Sequence, residues 1–373
     1  MVKTINRNFG LDFIRAIAIS LVIFSHITLL LFPDNDLSSF IVAIRTLGAI
    51  GVDLFFVLSG YLIGGIILRQ LNEGKTRFKD LLKFWKRRWF RTLPNYFLVL
   101  ILNIALILIL NKELISDIGY YFVFLQNFNS IHPDFFTEAW SLSIEEYAYL
   151  LLPFIIYLGI YLIKPKKVMH FFFISTLVLI LFLFFFKLNY YFNTYIESYK
   201  HWSGSFRKVV LYRMDSIYLG FLIIYLVKQF PVLIHRLRHK LFIFGCIIFL
   251  TIHLVIYYNN ILPQLQSGFY VFLYLPLVIL SMGFMFPFFT ALKTSNFITR
   301  IIRYISTRSY AIYLVNYSIV LLNIEHYLAG KEITEFGKYF SVVCFIVLTL
   351  ILSELIYAFF EKPILKYRDL KYK

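Results

Sequence analysis

Two ionisable residues, Arg15 and His26, lie inside the first long apolar run of the chain, Leu11–Phe32. A membrane-spanning helix needs about 20 predominantly apolar residues, so this run is long enough to cross a bilayer. Eleven residues separate the two side chains, which places them on nearly the same helical face, about 16 Å apart along the axis. Ionisable groups inside a membrane helix normally face a bundle interior or a polar cavity. The pair therefore predicts a functional site, and a histidine is suited to proton transfer near neutral pH.

The simpler interpretation is that His26 only donates a hydrogen bond to a neighbouring carbonyl group.

A second apolar run, GVDLFFVLSGYLIGG, holds Asp53, and a lone carboxylate there needs a partner. Its glycines Gly60, Gly64 and Gly65 favour close helix packing over catalysis.

Arg88 and Arg91 belong to a basic segment, RFKDLLKFWKRRWFRTLPNYF, that precedes another apolar run. Such a segment is typical of an interfacial helix that contacts anionic lipid headgroups. The two arginines, three residues apart, could instead form paired hydrogen bonds with the phosphates of a donor such as an acyl-CoA. The sequence leaves both interpretations open.

Several further polar residues lie in or beside the apolar runs, and each is predicted to face a cavity or the substrate. Arg213 and Asp215 are predicted to pair with each other, and Glu354 to neutralise Arg15. The predicted cavity residues are Asp53, Trp140, Ser141, Glu146, Arg213, Asp215, Asn316 and Glu354.

The elements that position these residues follow from composition. The chain of 373 residues is 60% hydrophobic and 15% charged, whereas soluble domains are about 45–50% apolar and about 25% charged. We predict an all-α, polytopic integral membrane protein that forms one domain over residues 1–373, without an appended soluble domain. Ten spans are predicted, at about 11–33, 44–68, 92–110, 143–163, 168–187, 209–227, 240–258, 267–290, 308–327 and 338–360.

The net charge of +17 raises the possibility of nucleic acid binding, but its distribution indicates a membrane protein. With the N-terminus placed inside, the cytoplasmic segments hold 27 Lys and Arg residues and the outer segments hold six. Such an excess of basic residues on one side follows the positive-inside rule. We therefore predict that both termini are cytoplasmic and that nucleic acid is not a partner. No group of residues shows the spacing of metal ligands, so no metal is expected.

Taken together, these residues and segments resemble the acyltransferase 3 family, the membrane O-acetylases of bacterial surface polysaccharides, including O-antigen. The resemblance runs in order from about residue 9 to 363. It rests on the Arg15–His26 spacing and on GVDLFFVLSGYLI, RRWFRTLP, WSLSIEEYAYLLLP, YRMDSIYLG, SYAIYLVN and the closing EKP.

The resemblance implies an O-acyltransferase of the bacterial cytoplasmic (inner) membrane. Acetyl-CoA would be the donor, used from the cytoplasm, and a hydroxyl of a cell-surface or lipid-linked glycan the acceptor. His26 would be the essential histidine, Arg15 its partner, and Arg88 and Arg91 the donor-binding residues. We add Glu145, at the start of the fourth span, to the catalytic set. Whether His26 acts as a base or carries the acyl group is left open.

The sequence departs from the family pattern at two places. Members often carry a histidine before the WSL segment, where this chain has Glu138-Ala139, and they often end the SYxxYL segment with Trp-His, where it has Val315-Asn316. Both departures bear on the choice of acceptor. The alternative function is a transporter or flippase of a lipid-linked glycan, since intramembrane charges are also typical of transport. The sequence shows no inverted repeat.

The predicted topology is testable with reporter fusions at six loop or terminal positions. The charge distribution predicts cytoplasmic signals from three of them and external signals from the other three. An inverted result at two or more positions would contradict the ten-span topology. The cytoplasmic positions are Lys75, Lys166 and Lys373, and the external positions are Asn35, Asn193 and Asn260.

Overall fold

The computed structural model describes residues 8–32, 38–111, 113–294 and 296–371, and all regular secondary structure in these ranges is helical. The α-helices are α1 (Phe9–Leu31), α2 (Ser39–Asn72), α3 (Phe78–Ile109), α4 (Gly119–Phe122), α5 (Ala139–Ile163), α6 (Val168–Asn193), α7 (Tyr199–Trp202), α8 (Val210–Gln229), α9 (Pro231–Tyr258), α10 (Leu275–Thr290), α11 (Asn296–Val315), α12 (Leu322–Leu328), α13 (Glu335–Leu355) and α14 (Lys362–Lys371). Four π-helical segments adjoin them, at Ser203–Arg207, Phe269–Tyr274, Asn316–Leu321 and Ile356–Glu361.

Within the described ranges, nine helices are long and apolar enough to cross a membrane. This confirms an all-α polytopic membrane protein. The spans are Phe9–Leu31, Phe40–Asn72, Phe78–Ile109, Ala139–Ile163, Val168–Asn193, Val210–Gln229, Pro231–Tyr258, Phe269–Thr290 and Glu335–Leu370. The side of the membrane on which each terminus lies stays a prediction, and Asn35 and Lys373 lie outside the described residues.

The ninth predicted span, 308–327, has no counterpart among these nine helices and coincides with a helix in three segments: α11, the π-helical segment Asn316–Leu321, and α12. Its first half carries Arg300, Arg303 and Arg308, so it is less apolar than the other nine. This helix packs against α1 and α13. Its central residues are buried by protein, which explains how a more polar sequence is accommodated here.

The helix α3 begins at Phe78 and continues through Pro94, so the helix that contains the predicted span 92–110 is longer than that span. A proline inside a helix removes one backbone hydrogen bond, and neighbouring side chains in a bundle can satisfy the carbonyl groups nearby. Here the Tyr310 hydroxyl donates to the carbonyl oxygen of Thr92 at 2.9 Å. The basic segment is therefore the first half of a long helix and not a separate interfacial helix.

The buried charges pair across helices. Arg213, which is fully buried, forms an ion pair with Asp53 of α2. Asp215 pairs with Lys187 of α6, with 2.5 Å between the Lys187 Nζ and an Asp215 carboxylate oxygen. The predicted pairing of Arg213 with Asp215 is therefore wrong, because residues two positions apart on a helix point to nearly opposite sides.

The predicted neutralisation of Arg15 by Glu354 is also wrong. Glu354 accepts two hydrogen bonds from the guanidinium of Arg308, one of them at 2.9 Å. Arg15 instead donates to Asp12 at 3.3 Å and to the hydroxyl of Ser306 at 3.0 Å. These contacts connect α1 to α11.

Gly60 marks the closest approach of α2 to α8. A Cβ atom at Gly60 would overlap the carbonyl oxygen of Ile217, and one at Gly220 would lie 2.6 Å from the carbonyl oxygen of Val57. Gly65, on the same helix, has room for a Cβ atom at 3.4 Å from Ile224. The packing role predicted for these glycines therefore applies most strongly to Gly60.

We expect Gly60→Ala to destabilise the protein by about 1–3 kcal/mol, because the added methyl group must push two backbones apart. The measurement is the thermal unfolding midpoint of the detergent-purified protein, followed by size-exclusion chromatography. Gly65→Ala is the matched control and should leave the midpoint unchanged. Equal midpoints for the two variants would show that the α2–α8 contact tolerates a methyl group.

Candidate active site

A cavity of about 670 Å³ opens at the end of the bundle where α1 begins, here called the Arg15 end, as opposed to the His26 end. Residues of α1, α2, α3, α5 and α11 line it. Five of the predicted site residues are among the lining residues: Arg15, Arg88, Arg91, Ser141 and Glu145.

The mouth of the cavity is rich in basic side chains. Most come from the end of α2 and the first half of α3, and one comes from α14. The basic residues that line the cavity besides Arg15, Arg88 and Arg91 are Arg69, Lys75, Lys83, Arg87 and Arg368. Sequence reasoning noted the charge of this segment but did not distinguish the residues that reach the cavity. Lys83, Arg87 and Arg91 lie four residues apart on α3, and this spacing could have indicated that they share one helical face.

A hydrogen-bonded network lies deeper in the cavity, around Glu145. Arg88 Nη2 donates to Glu145 Oε2 at 3.0 Å, and the Tyr149 hydroxyl lies 2.7 Å from the same oxygen. The Ser59 hydroxyl lies 2.5 Å from the Tyr149 hydroxyl and 3.2 Å from Glu145 Oε1. Sequence reasoning assigned no role to Tyr149 or Ser59. Arg88 is thus neutralised by an internal carboxylate, and at the mouth Lys75 pairs with Glu73 and Arg87 with Asp369.

His26 contacts Asn316, with 2.5 Å between His26 Nδ1 and Asn316 Oδ1. The amide nitrogen of Asn316 donates to the carbonyl oxygens of Ile312 and Tyr313, at 2.9 and 2.8 Å. These two bonds fix the orientation of the amide, so Oδ1 faces the histidine as an acceptor. The proton of a neutral His26 therefore lies on Nδ1, and Nε2 keeps its lone pair.

Glu138 holds the backbone beside Asn316. One carboxylate oxygen of Glu138 accepts hydrogen bonds from the backbone N–H groups of Tyr317 and Ser318, at 3.0 and 2.8 Å. Burial raises the pKa of Glu138 to about 7, although these N–H groups favour its charged form. The Tyr317 ring also packs on His26, with 4.9 Å between the ring centroids. Glu138 therefore supports the histidine of α1 indirectly, through the backbone next to Asn316.

His26 is not among the residues that line the cavity, and the lining residues near its partner Asn316 form a group here called the partition. It consists of Phe55, Ser141 and Tyr313, all of which line the cavity. The hydroxyls of Ser141 and Tyr313 are 2.8 Å apart, and the rings of Phe55 and Tyr313 lie edge to face at 6.2 Å between centroids. Asn316 follows Tyr313 by three residues, about 4.5 Å along a helix. Arg15 and Glu145 therefore line the cavity, and His26 lies beyond its closed end.

The remaining predicted residues are not among those that line the cavity. Trp140 packs under the guanidinium of Arg207, with 5.0 Å between the Arg207 Cζ and the ring centroid. Glu146 is buried and accepts a hydrogen bond from Thr92 at 2.9 Å. Asp53, Arg213, Asp215 and Glu354 are held in the ion pairs described above. Any role of these residues in binding or catalysis stays a prediction.

Comparison with known proteins identifies the class. The sequence model of the acyltransferase 3 family, described as an acyltransferase domain, matches residues 8–358. The chain is 29% identical over 385 residues to a Bacillus subtilis protein named "Putative peptidoglycan O-acetyltransferase YrhL", covering 95% of this chain and 54% of the relative. It is 26% identical over 380 residues to the O-acetyltransferase OatA of Staphylococcus aureus, covering 96% of this chain and 57% of the relative.

The chain thus spans little more than half the length of these curated relatives. No solved structure matches it significantly. The family match covers nearly all of the helices described above, including both sides of the partition. The chain belongs to the acyltransferase 3 family.

Proposed function

We propose that this chain is a membrane O-acetyltransferase domain, which moves an acetyl group from acetyl-CoA to a hydroxyl of a glycan. The observation that carries the proposal is a cavity with a basic mouth, closed by a partition with an oriented histidine on its far side. Family membership supports acyl transfer. The names of the relatives, one of which specifies peptidoglycan, support an acetyl group and a glycan acceptor.

The donor occupies the cavity in this proposal. Its volume lies within the range of about 300–1,000 Å³ that is typical of small-molecule pockets. Guanidinium and ammonium groups at the mouth, among them Arg91, Lys83 and Arg87, meet the phosphates of acetyl-CoA through charge-assisted hydrogen bonds. The thioester then reaches toward Ser141 and Tyr313 at the closed end.

His26 acts as the general base in this proposal. The acceptor hydroxyl gives its proton to His26 Nε2, and its oxygen attacks the thioester carbonyl carbon. The carbon–sulfur bond then breaks, and the CoA thiolate leaves on the donor side. Because the partition lies between the two reactants, Tyr313 must move aside for the transfer to occur. Asn316 is a positioning residue, since it holds the tautomer that leaves Nε2 free.

The orientation follows from the donor. Acetyl-CoA is a cytoplasmic metabolite, so the Arg15 end faces the cytoplasm and the His26 end faces the outside, in agreement with the distribution of basic residues. The domain then belongs to a bacterial cytoplasmic membrane and modifies the acceptor from the outer side.

We expect Arg91→Ala to weaken acetyl-CoA binding by about ten- to a hundredfold, because loss of one charge-assisted contact costs about 1.5–3 kcal/mol. We expect Arg88→Ala to weaken binding as well, because it leaves the carboxylate of Glu145 without its cation in the cavity. The measurement is acetyl-CoA titration of the purified protein in lipid nanodiscs. Lys86→Ala is the matched control, since Lys86 is an exposed residue of α3 that does not line the cavity. Unchanged affinity in both arginine variants would assign the segment to lipid contact.

We expect His26→Ala to bind acetyl-CoA normally and to lose about 10²–10⁴-fold in the rate of glycan acetylation, because it removes only the base. The measurement is the transfer of labelled acetyl groups to oligosaccharides by the protein in nanodiscs, with products analysed by mass spectrometry. His253→Ala removes another histidine from an apolar helix, at a distance from the cavity lining, and should keep full activity. Normal transfer by His26→Ala would exclude the base assignment.

A further inference from the structure

Three basic residues, Lys200, Arg207 and Lys208, lie in one segment at the His26 end. The segments assigned to this side hold only six Lys and Arg residues, and these are three of them. Basic residues are disfavoured in loops that cross to the outer side. A concentration of them beside the acceptor side of the protein therefore calls for a function.

The segment is fixed to the site by the side chain of Asn127. Its amide nitrogen donates to the carbonyl oxygens of Lys208 and Trp140, at 2.6 and 3.0 Å. The backbone N–H of Val210 donates in turn to the carbonyl oxygen of Asn127 at 3.0 Å. These bonds connect Lys208 to the beginning of α5, which also carries Ser141 of the partition. The basic groups therefore have a defined position.

Arg207 is buried, with 8% of its surface exposed. Its guanidinium lies over the ring of Trp140, and its Nε donates to the Ser203 hydroxyl at 3.1 Å. The Nη1 atom is buried and has no hydrogen-bond partner among the described residues. An unsatisfied buried donor on a charged group is costly, and an acceptor supplied by a ligand would satisfy it.

Lys208 is the second unpaired cation of the segment. No carboxylate of the described part of the chain lies within 4 Å of its ammonium group, although Asp134 acts on it from farther away. Burial and the neighbouring Arg207 lower the pKa of Lys208 to about 8, so it is still largely protonated at neutral pH. Lys208 also interacts electrostatically with both His26 and His132. It is thus a cation whose charge acts on the proposed base.

His132 adds a neutral polar group to this region. It is buried, and its Nε2 atom has no hydrogen-bond partner among the residues that the structure describes. Burial lowers the pKa of His132 to about 3, with a smaller effect from Lys208, so the ring is uncharged at neutral pH. The unsatisfied groups near Lys208 are therefore suited to a polar ligand that carries a negative charge.

We propose that Arg207 and Lys208 bind an anionic group of the acceptor, a carboxylate or a phosphate, and thereby place a nearby hydroxyl at His26. This proposal rests on the function proposed above and specifies its substrate class as an anionic glycan. A guanidinium and an ammonium group together match the oxygens of either anion. The carboxylate would come from an acidic sugar, and the phosphate from the end of a lipid-linked or phosphorylated glycan.

The test uses the full chain in nanodiscs and three probes that differ in one group. They are a tetramer of N-acetylglucosamine, the same tetramer with its reducing end oxidised to a carboxylate, and the same tetramer with a 1-phosphate. We expect at least one anionic probe to bind about tenfold more tightly than the neutral tetramer. The probe that gains affinity identifies the source of the anion.

The Arg207→Gln and Lys208→Gln variants should bind the anionic probes no more tightly than the neutral tetramer. Binding of the neutral tetramer by the same variant shows that the protein is folded. Arg207→Lys should keep part of the preference. Lys331→Gln, which removes an exposed charge from another loop on the same side, should keep all of it. Equal affinities for all probes in the unmodified protein, or a preference that survives both glutamine variants, would overturn the proposal.

Acetyl transfer to the same probes separates the two proposals. If all three probes bind with equal affinity and all three are acetylated, the proposal of an anionic acceptor is contradicted and the O-acetyltransferase function is supported. An anion preference that depends on Arg207 and Lys208, without transfer to any probe, would support the anion site and contradict the transfer function.

Discussion

The architecture depends on the cost of placing charge in an apolar bundle. An ionised group without a partner is unstable away from water, so a buried cation has to be near a carboxylate. Three such pairs connect different helices: Arg213 with Asp53, Lys187 with Asp215, and Arg88 with Glu145. Through two of them α8 is fixed to both α2 and α6. Against this pattern Arg207 and Lys208 stand out, because no described carboxylate pairs with either.

Much of the fold was predictable from local sequence, because a membrane helix is defined by the length of its apolar run. The partners of the buried charges were not, because they depend on which helices become neighbours. The proximity of Arg213 and Asp215 in sequence suggested a pair, yet helical geometry directs them to different neighbours. Pro94 also shows that local sequence preference does not decide where a helix begins. Its local preference is to begin a helix, yet it lies in the interior of α3.

The candidate site was predictable in part. Arg15 and His26 both contact polar side chains of one neighbouring helix, Ser306 and Asn316, but only Arg15 lines the cavity, together with Arg88, Arg91, Ser141 and Glu145. The closed end of the cavity was not predictable, since it depends on a contact between Tyr313 and Ser141, 172 positions apart. The π-helical segment that begins at Asn316 has no simple sequence signal either. Such segments are frequent at functional sites, and here one turns Asn316 toward His26.

The partition of Phe55, Ser141 and Tyr313 has a consequence for the cell that contains the protein. A bacterial membrane stores an electrical potential worth about 2.3 kcal/mol per elementary charge for each 100 mV. A continuous column of water from the basic mouth to His26 would conduct protons and dissipate that store. At the partition, the rings of Phe55 and Tyr313 and the hydroxyl contact of Tyr313 with Ser141 occupy the place of such a column. In the function proposed above, an acyl group passes this layer of residues without a continuous path for protons.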